Sequence, residues 1–126
     1  MIKNFQKVKN KLGNIFKILS LNEKKNFIKE VYVTEVNYKK IKGWNFHKKA
    51  TSNLIVISGK IEFKITKDFK YVKRLILDEK KEKLLSIKPK TWFCFKGLSK
   101  KNKILSLSNY KYNRNETKKK SIESNI

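Results

Sequence analysis

The sequence has few of the residues that build disulfides and metal sites. Its 126 residues contain one cysteine, Cys94, and one histidine, His47. One cysteine excludes an intramolecular disulfide and a cysteine-based zinc finger, and one histidine excludes a metal site built from several histidines. Apolar runs are short, as in Leu54-Ile55-Val56-Ile57, which excludes a membrane-spanning helix.

Acidic residues are also scarce. Ten Asp and Glu stand against 33 Lys and Arg, which gives a formal net charge of +23 at pH 7. Such an excess attracts nucleic-acid phosphates and anionic membranes. However, only Arg74 and Arg114 are arginine, the side chain favoured for bidentate phosphate and base contacts. Ile and Asn, whose codons are AT-rich like those of Lys, are also abundant, and Ala50 is the only alanine. We therefore interpret much of the lysine excess as genomic drift toward AT-rich codons at solvent-exposed positions.

The first 27 residues form a basic segment with a helical spacing of apolar side chains. Phe5, Val8, Leu12, Ile15 and Phe16 follow one another at intervals of one, three or four residues, with lysines between them. The pattern predicts a short helical or irregular segment that packs on the rest of the domain. A basic amphipathic helix on an anionic membrane is the alternative.

From residue 28 the apolar period changes to two, which predicts β-strands. Short β-prone runs follow at about ten-residue spacing, and polar or turn residues separate them: 28–36, 41–47, 53–57, 60–65, 70–77, 83–87, 91–95 and 103–109. Ser58-Gly59 between two of these runs predicts a hairpin turn. We therefore expect one all-β sandwich or barrel domain over 28–112, followed by a polar, mobile tail over 113–126.

No sequence motif identifies a catalytic mechanism by spacing alone. There is no glycine-rich phosphate loop, no nucleophile–histidine arrangement and no pair of carboxylates suited to acid–base work. His47 is the one side chain suited to proton transfer near neutral pH. Strand alternation places Gly43, Asn45 and His47 on one face, so Asn45 and His47 point inward if that face lines a barrel.

Several segments, in order along the chain, resemble cupin-type sugar-nucleotide enzymes. They cover roughly residues 12–117 and are similar to dTDP-4-dehydrorhamnose 3,5-epimerases and their relatives. The segments are Gly13-Asn14-Ile15-Phe16, Val31-Tyr32-Val33-Thr34, Lys42-Gly43-Trp44-Asn45-Phe46-His47-Lys48-Lys49, Asn53-Leu54-Ile55-Val56, Gly59-Lys60-Ile61-Glu62-Phe63, Trp92-Phe93-Cys94-Phe95-Lys96-Gly97-Leu98 and Ser108-Asn109.

The resemblance implies an antiparallel jelly-roll barrel, a homodimer in the cytoplasm, and an active site inside the barrel. It implies epimerisation or isomerisation of a dTDP-4-keto-6-deoxyhexose in surface polysaccharide biosynthesis, with no metal or other cofactor. A base removes a proton beside the ketone, and an acid returns one.

The site residues follow from the same resemblance. The family's base position falls on Asn45 and its proton donor falls near Leu105, and neither side chain can carry a proton in that role. His47 is therefore the candidate base and Tyr110 the candidate acid. The candidate substrate-binding residues are Lys42, Asn45, Lys49, Asn53 and Trp92.

Two other functions remain open at this point. The chain could be a catalytically inactive cupin that binds a sugar nucleotide, because the family's base and acid positions are not occupied by competent side chains. It could also be a basic peripheral protein that binds nucleic acid or an anionic membrane, given its charge and its amphipathic start.

Overall fold

The structure is a computed structural model that describes residues 2–19, 28–111 and 113–121. Within these residues the chain forms twelve β-strands and no helix. The described residues therefore contain no helix that could cross a membrane. The strands are β1 (Ile2–Asn4), β2 (Gln6–Val8), β3 (Ile15–Lys17), β4 (Glu30–Glu35), β5 (Ile41–His47), β6 (Ser52–Ser58), β7 (Lys60–Thr66), β8 (Val72–Asp78), β9 (Lys83–Ile87), β10 (Trp92–Gly97), β11 (Lys103–Ser108) and β12 (Thr117–Lys119).

Ten of these strands form two five-stranded antiparallel sheets. The first sheet has the order β1-β9-β6-β11-β4, and the second has the order β12-β5-β10-β7-β8. From β4 onward the chain changes sheet at every connection except that between β7 and β8. This antiparallel, sheet-switching connectivity is that of a jelly roll, so the predicted all-β fold is confirmed.

The core lies between the two sheets and is built by strand alternation. On β7, Ile61, Phe63 and Ile65 are at most 4% exposed and belong to one buried cluster. Burial of each such side chain contributes roughly 1.5–3 kcal/mol to folding. Their partners in the cluster come from the surrounding strands and, for Val36, from the residue just after β4: Val36, Leu54, Val56, Leu77, Leu85, Ile87, Phe93, Phe95 and Ile104.

The N-terminal segment contains strands where a helical or irregular segment was predicted. Ile2 lies opposite Leu85 in the pairing of β1 with β9, while β2 and β3 form a separate two-stranded hairpin. Leu12 is 99% exposed, and Ile15 and Phe16 are also exposed, so the helically spaced apolar residues share no buried face. Pairing with an available sheet edge has overridden a weak local pattern. The predicted domain boundary at residue 27 lies outside the described residues.

The turn at Ser58-Gly59 is not a hairpin, because β6 and β7 belong to different sheets. Gly59 has a φ of 80°, and a Cβ atom there would collide with the carbonyl oxygen of Lys101. A glycine is therefore needed where the chain crosses between the sheets. Sequence pattern identified the turn correctly but could not tell which strands it would leave paired.

The segment after residue 112 differs from the expected mobile tail. In its described part, 113–121, β12 pairs with β5, and Thr117 lies opposite His47. The backbone N–H of Lys48 also donates to the carbonyl oxygen of Glu116 over 2.8 Å. These backbone hydrogen bonds hold a polar sequence against the second sheet. Residue 112 and residues 122–126 lie outside the described residues.

The side chain of Asn102 connects the start of β7, where the chain crosses between the sheets, to the loops at Val36 and Ser99. Its side chain is 2% exposed and makes four hydrogen bonds. Its Oδ1 accepts from the backbone N–H groups of Lys60 and Ser99, both at 3.1 Å. Its Nδ2 donates to the carbonyl oxygens of Val36 at 3.0 Å and Ser99 at 2.7 Å. One buried amide thus satisfies backbone groups from three separate segments.

We expect Asn102→Ala to lower the free energy of unfolding by about 3 kcal/mol, because it leaves several backbone groups unpaired. Asn53→Ala is the matched control, since the Asn53 side chain makes one long hydrogen bond, 3.4 Å to the carbonyl oxygen of Leu107. That control is expected to cost less than about 1 kcal/mol. Urea unfolding at pH 7 measures both, and equal losses would contradict the role given to Asn102.

Candidate active site

A cavity of about 430 Å³ lies between the two sheets. Polar side chains line it from both sides: Tyr32, Thr34, Ser52 and Ser106 from the first sheet, and Lys42, Asn45, His47, Thr117 and Lys119 from the second. Leu54, Phe93, Phe95 and Ile104 form its apolar wall. A pocket with apolar walls and a few converging polar groups has the character of a small-molecule site.

A β-bulge in β5 decides which side chains face this cavity. On β10, Cys94 lies opposite Gly43 while its preceding neighbour lies opposite Asn45, so Trp44 is the extra residue. The bulge moves Lys42 to the cavity face, where strict alternation from Asn45 would turn it away. Gly43 has a φ of 122°, and a Cβ atom there would lie 2.7 Å from that of Cys94. The bulge therefore requires glycine at this position.

His47 is held at its Nδ1 atom by the segment that contains β12. Nδ1 lies 3.0 Å from Oγ1 of Thr117 and 3.4 Å from Oε2 of Glu116. The Thr117 hydroxyl in turn donates to the same Glu116 oxygen over 3.3 Å. The ionised carboxylate of Glu116 can only accept, so the contacts of Nδ1 favour the tautomer in which Nδ1 carries the proton and donates.

This network determines the tautomer of the ring. With the proton on Nδ1, the neutral imidazole of His47 carries its lone pair on Nε2. No hydrogen bond to Nε2 occurs within the described part of the chain. Nε2 is thus the nitrogen available to accept a proton from a molecule in the cavity.

Glu116 is itself fixed by the backbone. Its Oε1 accepts hydrogen bonds from the N–H groups of Lys49 at 2.7 Å and Ala50 at 2.8 Å. Partial burial alone would raise the pKa of this carboxyl group, but the two N–H donors and the nearby His47 together hold it below its usual value. Glu116 is therefore ionised at neutral pH and accepts from the imidazole.

The pKa of His47 is lowered from its usual value of 6.5. Burial is the main cause, and the charge of Lys119 adds to it, while Glu116 acts in the opposite direction. The imidazole is consequently neutral at pH 7, which is the state required of a general base.

Two lysines give the cavity a positive potential. Lys42 lies on β5 and Lys119 on β12, and both line the cavity with His47. Cations in a partly enclosed site favour bound phosphate groups, and they also stabilise negative charge that develops on a carbonyl oxygen. The described residues contain no group of three His, Cys, Asp or Glu side chains that could hold a metal ion.

The structure brings together three of the residues predicted from the sequence, His47, Asn45 and Lys42. Lys49 and Tyr110 line a separate surface hollow. The ring of Tyr110 lies 5.6 Å from a lysine ammonium group, and Tyr110 does not reach the cavity.

Trp92 and Asn53 lie elsewhere. The Trp92 ring packs against Phe46 at 5.0 Å and Phe69 at 5.5 Å between centroids, a cluster that does not line the cavity. Asn53 is absent from the cavity wall as well. Ile104 and Ser106 line the cavity, so strand alternation turns Leu105 to the opposite face of β11. A side chain at position 105 therefore cannot reach the cavity to act as the acid.

Several cavity residues escaped the sequence reasoning. Alternation along β4 already placed Tyr32 and Thr34 on one face, and that was a usable signal for a tyrosine in the cavity. Glu116, Thr117 and Lys119 gave no such signal, because a short polar strand has no apolar periodicity to detect.

Solved structures similar to this fold include sugar-nucleotide isomerases and epimerases. A 3,4-ketoisomerase from Helicobacter canadensis is 26% identical with a TM-score of 0.80, and the match covers 93% of this chain and 87% of that chain. A histidine-to-asparagine mutant of the 3,4-ketoisomerase QdtA from Thermoanaerobacterium thermosaccharolyticum, in complex with TDP-4-keto-6-deoxyglucose, is 22% identical with a TM-score of 0.79 over 93% and 84%. A dTDP-4-dehydrorhamnose 3,5-epimerase from Elizabethkingia anophelis is 9% identical with a TM-score of 0.84 over 99% and 77%.

These neighbours confirm the resemblance to sugar-nucleotide cupins at the level of fold. The ketoisomerase that is 26% identical also supports an isomerase-like enzyme. No curated protein matches the sequence. The family model described as "FdtA: WxcM-like, C-terminal" matches residues 1–122. Since that match spans nearly the whole chain, the protein belongs to the FdtA family, which is described as WxcM-like, C-terminal.

Proposed function

We propose that the protein is an isomerase that moves the ketone of a dTDP-linked 4-keto-6-deoxyhexose from carbon 4 to carbon 3, with His47 as the base. The observation that carries this proposal is the orientation of His47. Its Nδ1 is occupied by Glu116 and Thr117, and its Nε2 is available in a cavity that also contains Lys42 and Lys119.

The reaction needs a proton to move between adjacent carbons. Nε2 of His47 takes the proton from carbon 3, whose acidity comes from the neighbouring ketone. The electron pair forms the carbon 3–carbon 4 double bond and leaves negative charge on the carbon 4 oxygen, near the lysine ammonium groups. The proton of the carbon 3 hydroxyl passes to the carbon 4 oxygen, which moves the negative charge to the carbon 3 oxygen. The imidazolium then returns the proton to carbon 4, and the ketone forms at carbon 3.

Two features favour ketone migration over 3,5-epimerisation. The most identical of the three neighbours described above is a 3,4-ketoisomerase, which the match covers to 87%. In addition, one base can carry a proton between adjacent carbons, whereas inversion of a centre needs a base on one face and an acid on the other.

Epimerisation at carbons 3 and 5 is the second candidate. Tyr32 lines the cavity from the first sheet while His47 lines it from the second, and a tyrosine hydroxyl is a competent acid. For that reaction Tyr32 is the proposed acid, in the role first considered for Tyr110. The product decides between the two reactions, because a ketone at carbon 3 and an inverted centre at carbon 5 give different proton spectra.

We also propose that the protein is a homodimer. The β2–β3 hairpin exposes Leu12 and Phe16, and an isolated two-stranded hairpin is marginally stable in water. Edge strand β4 exposes Val31 and Val33. The two surfaces are complementary in charge, since the hairpin strands carry lysines and β4 ends with Glu35.

We expect His47→Asn to reduce turnover of TDP-4-keto-6-deoxyglucose by about 10²–10⁴-fold, because asparagine cannot accept the proton. Proton NMR follows the substrate and product. Tyr110→Phe is the control, and it is expected to keep the rate within about twofold because Tyr110 lies outside the cavity. Turnover by His47→Asn at the unmodified rate would refute His47 as the base.

The pH dependence provides a separate test. Because the pKa of His47 is below 6.5, kcat/KM is expected to rise with pH through a midpoint below 6.5 and to level off by pH 7. Since Glu116 raises that pKa, Glu116→Gln should shift the midpoint to lower pH and reduce kcat, as the imidazole becomes a weaker base. A midpoint that moves upward, or does not move, would contradict this coupling.

The dimer is tested by light scattering after size exclusion. We expect twice the 15.0 kDa mass of one chain for the unmodified protein, and a single-chain mass when Phe16→Lys is combined with Val33→Lys. Each substitution puts a lysine in the proposed interface, where its charge is buried without a partner. The lysine at position 33 also faces a hairpin that already carries lysines. A single-chain mass for the unmodified protein at micromolar concentration would contradict the proposal.

A further inference from the structure

Ser106 is a buried serine whose hydroxyl has no hydrogen-bond partner. It lies on β11 in the first sheet, is 1% exposed, and lines the cavity that contains His47. Among the described residues, its Oγ is the one buried side-chain oxygen or nitrogen atom without a partner.

Elsewhere in the described residues, buried side-chain oxygen and nitrogen atoms have hydrogen-bond partners, so this exception is unusual. Ser108, on the same face of the same strand, donates to the carbonyl oxygen of Tyr110 at 3.0 Å and accepts from its N–H at 3.2 Å. Asn102, just before that strand, makes all four of its hydrogen bonds. A buried hydroxyl without a partner costs stability, and an unsatisfied group of this kind calls for an explanation.

The register of β11 gives Ser106 a central place in the cavity wall. It lies opposite Tyr32 on one side and Leu54 on the other, and both of these also line the cavity. His47 lines the cavity from the facing sheet. A sugar whose reacting carbons lie against His47 therefore has Ser106 in the wall behind it. Rotation about one side-chain bond is enough to turn the hydroxyl toward that sugar.

We propose that Ser106 is a substrate-binding residue whose hydroxyl donates a hydrogen bond to an oxygen of the keto sugar. The sequence retains a destabilising hydroxyl there because the bound sugar is its partner. This role rests on the proposed function, since the ligand is the dTDP-linked keto sugar. The interaction involves the sugar, so binding of the nucleotide alone does not depend on it.

The test compares Ser106→Ala with Ser108→Ala, two identical changes on one strand. For each we measure the midpoint of thermal unfolding without ligand, the Kd for TDP, and the Kd for TDP-4-keto-6-deoxyglucose in a His47→Asn background. Ser106→Ala is expected to leave the unfolding midpoint unchanged or higher, to leave the TDP affinity unchanged, and to weaken keto-sugar binding by about three- to tenfold. Ser108→Ala is expected to lower the unfolding midpoint and to leave both affinities unchanged.

Two results would overturn the role of Ser106 alone. One is keto-sugar binding by Ser106→Ala that equals that of the parent protein. The other is a fall in unfolding midpoint as large as that of Ser108→Ala, since the hydroxyl would then have a structural partner. If the parent protein binds neither TDP nor the keto sugar, the proposed function and this role of Ser106 fail together.

Discussion

The face-to-face packing of two antiparallel sheets is the constraint on which the cavity depends. Because the chain changes sheet at nearly every connection, each sheet presents an inward row of side chains that the other must cover. Around Phe63 those rows are apolar and form the core. Along β5 and β11 they become polar, and the space between the sheets remains open as the cavity. Core and cavity are therefore two parts of the same interface.

Within that interface, β12 fixes the orientation of the histidine that we propose as the base. The pairing of β12 with β5 brings Thr117 opposite His47, and the preceding Glu116 is anchored by two backbone N–H groups. The carboxylate orients the imidazole, while burial keeps the imidazole neutral. A short polar strand thus fixes the orientation of the imidazole. The fold supplies the enclosure in which this arrangement lies.

Sequence reasoning predicted the elements with strong alternation and missed those without it. Strands β4 to β11 carry alternating or continuous apolar residues, and all of them were predicted. The inward direction of Asn45 and His47 followed from the same period. Residues 117–119 are polar, so only tertiary pairing identifies β12. Similarly, no local pattern reveals the bulge at Gly43 that turns Lys42 inward, or the separation of β6 from β7 at Gly59.

The most direct test of the account is nitrogen NMR of the single imidazole. His47 is the only histidine, so its ring signals need no assignment. We predict a neutral ring protonated at Nδ1, with an unprotonated Nε2 and a pKa below 6.5. A ring protonated at Nε2, or a pKa above 6.5, would contradict the claim that Glu116 and Thr117 prepare His47 as a base.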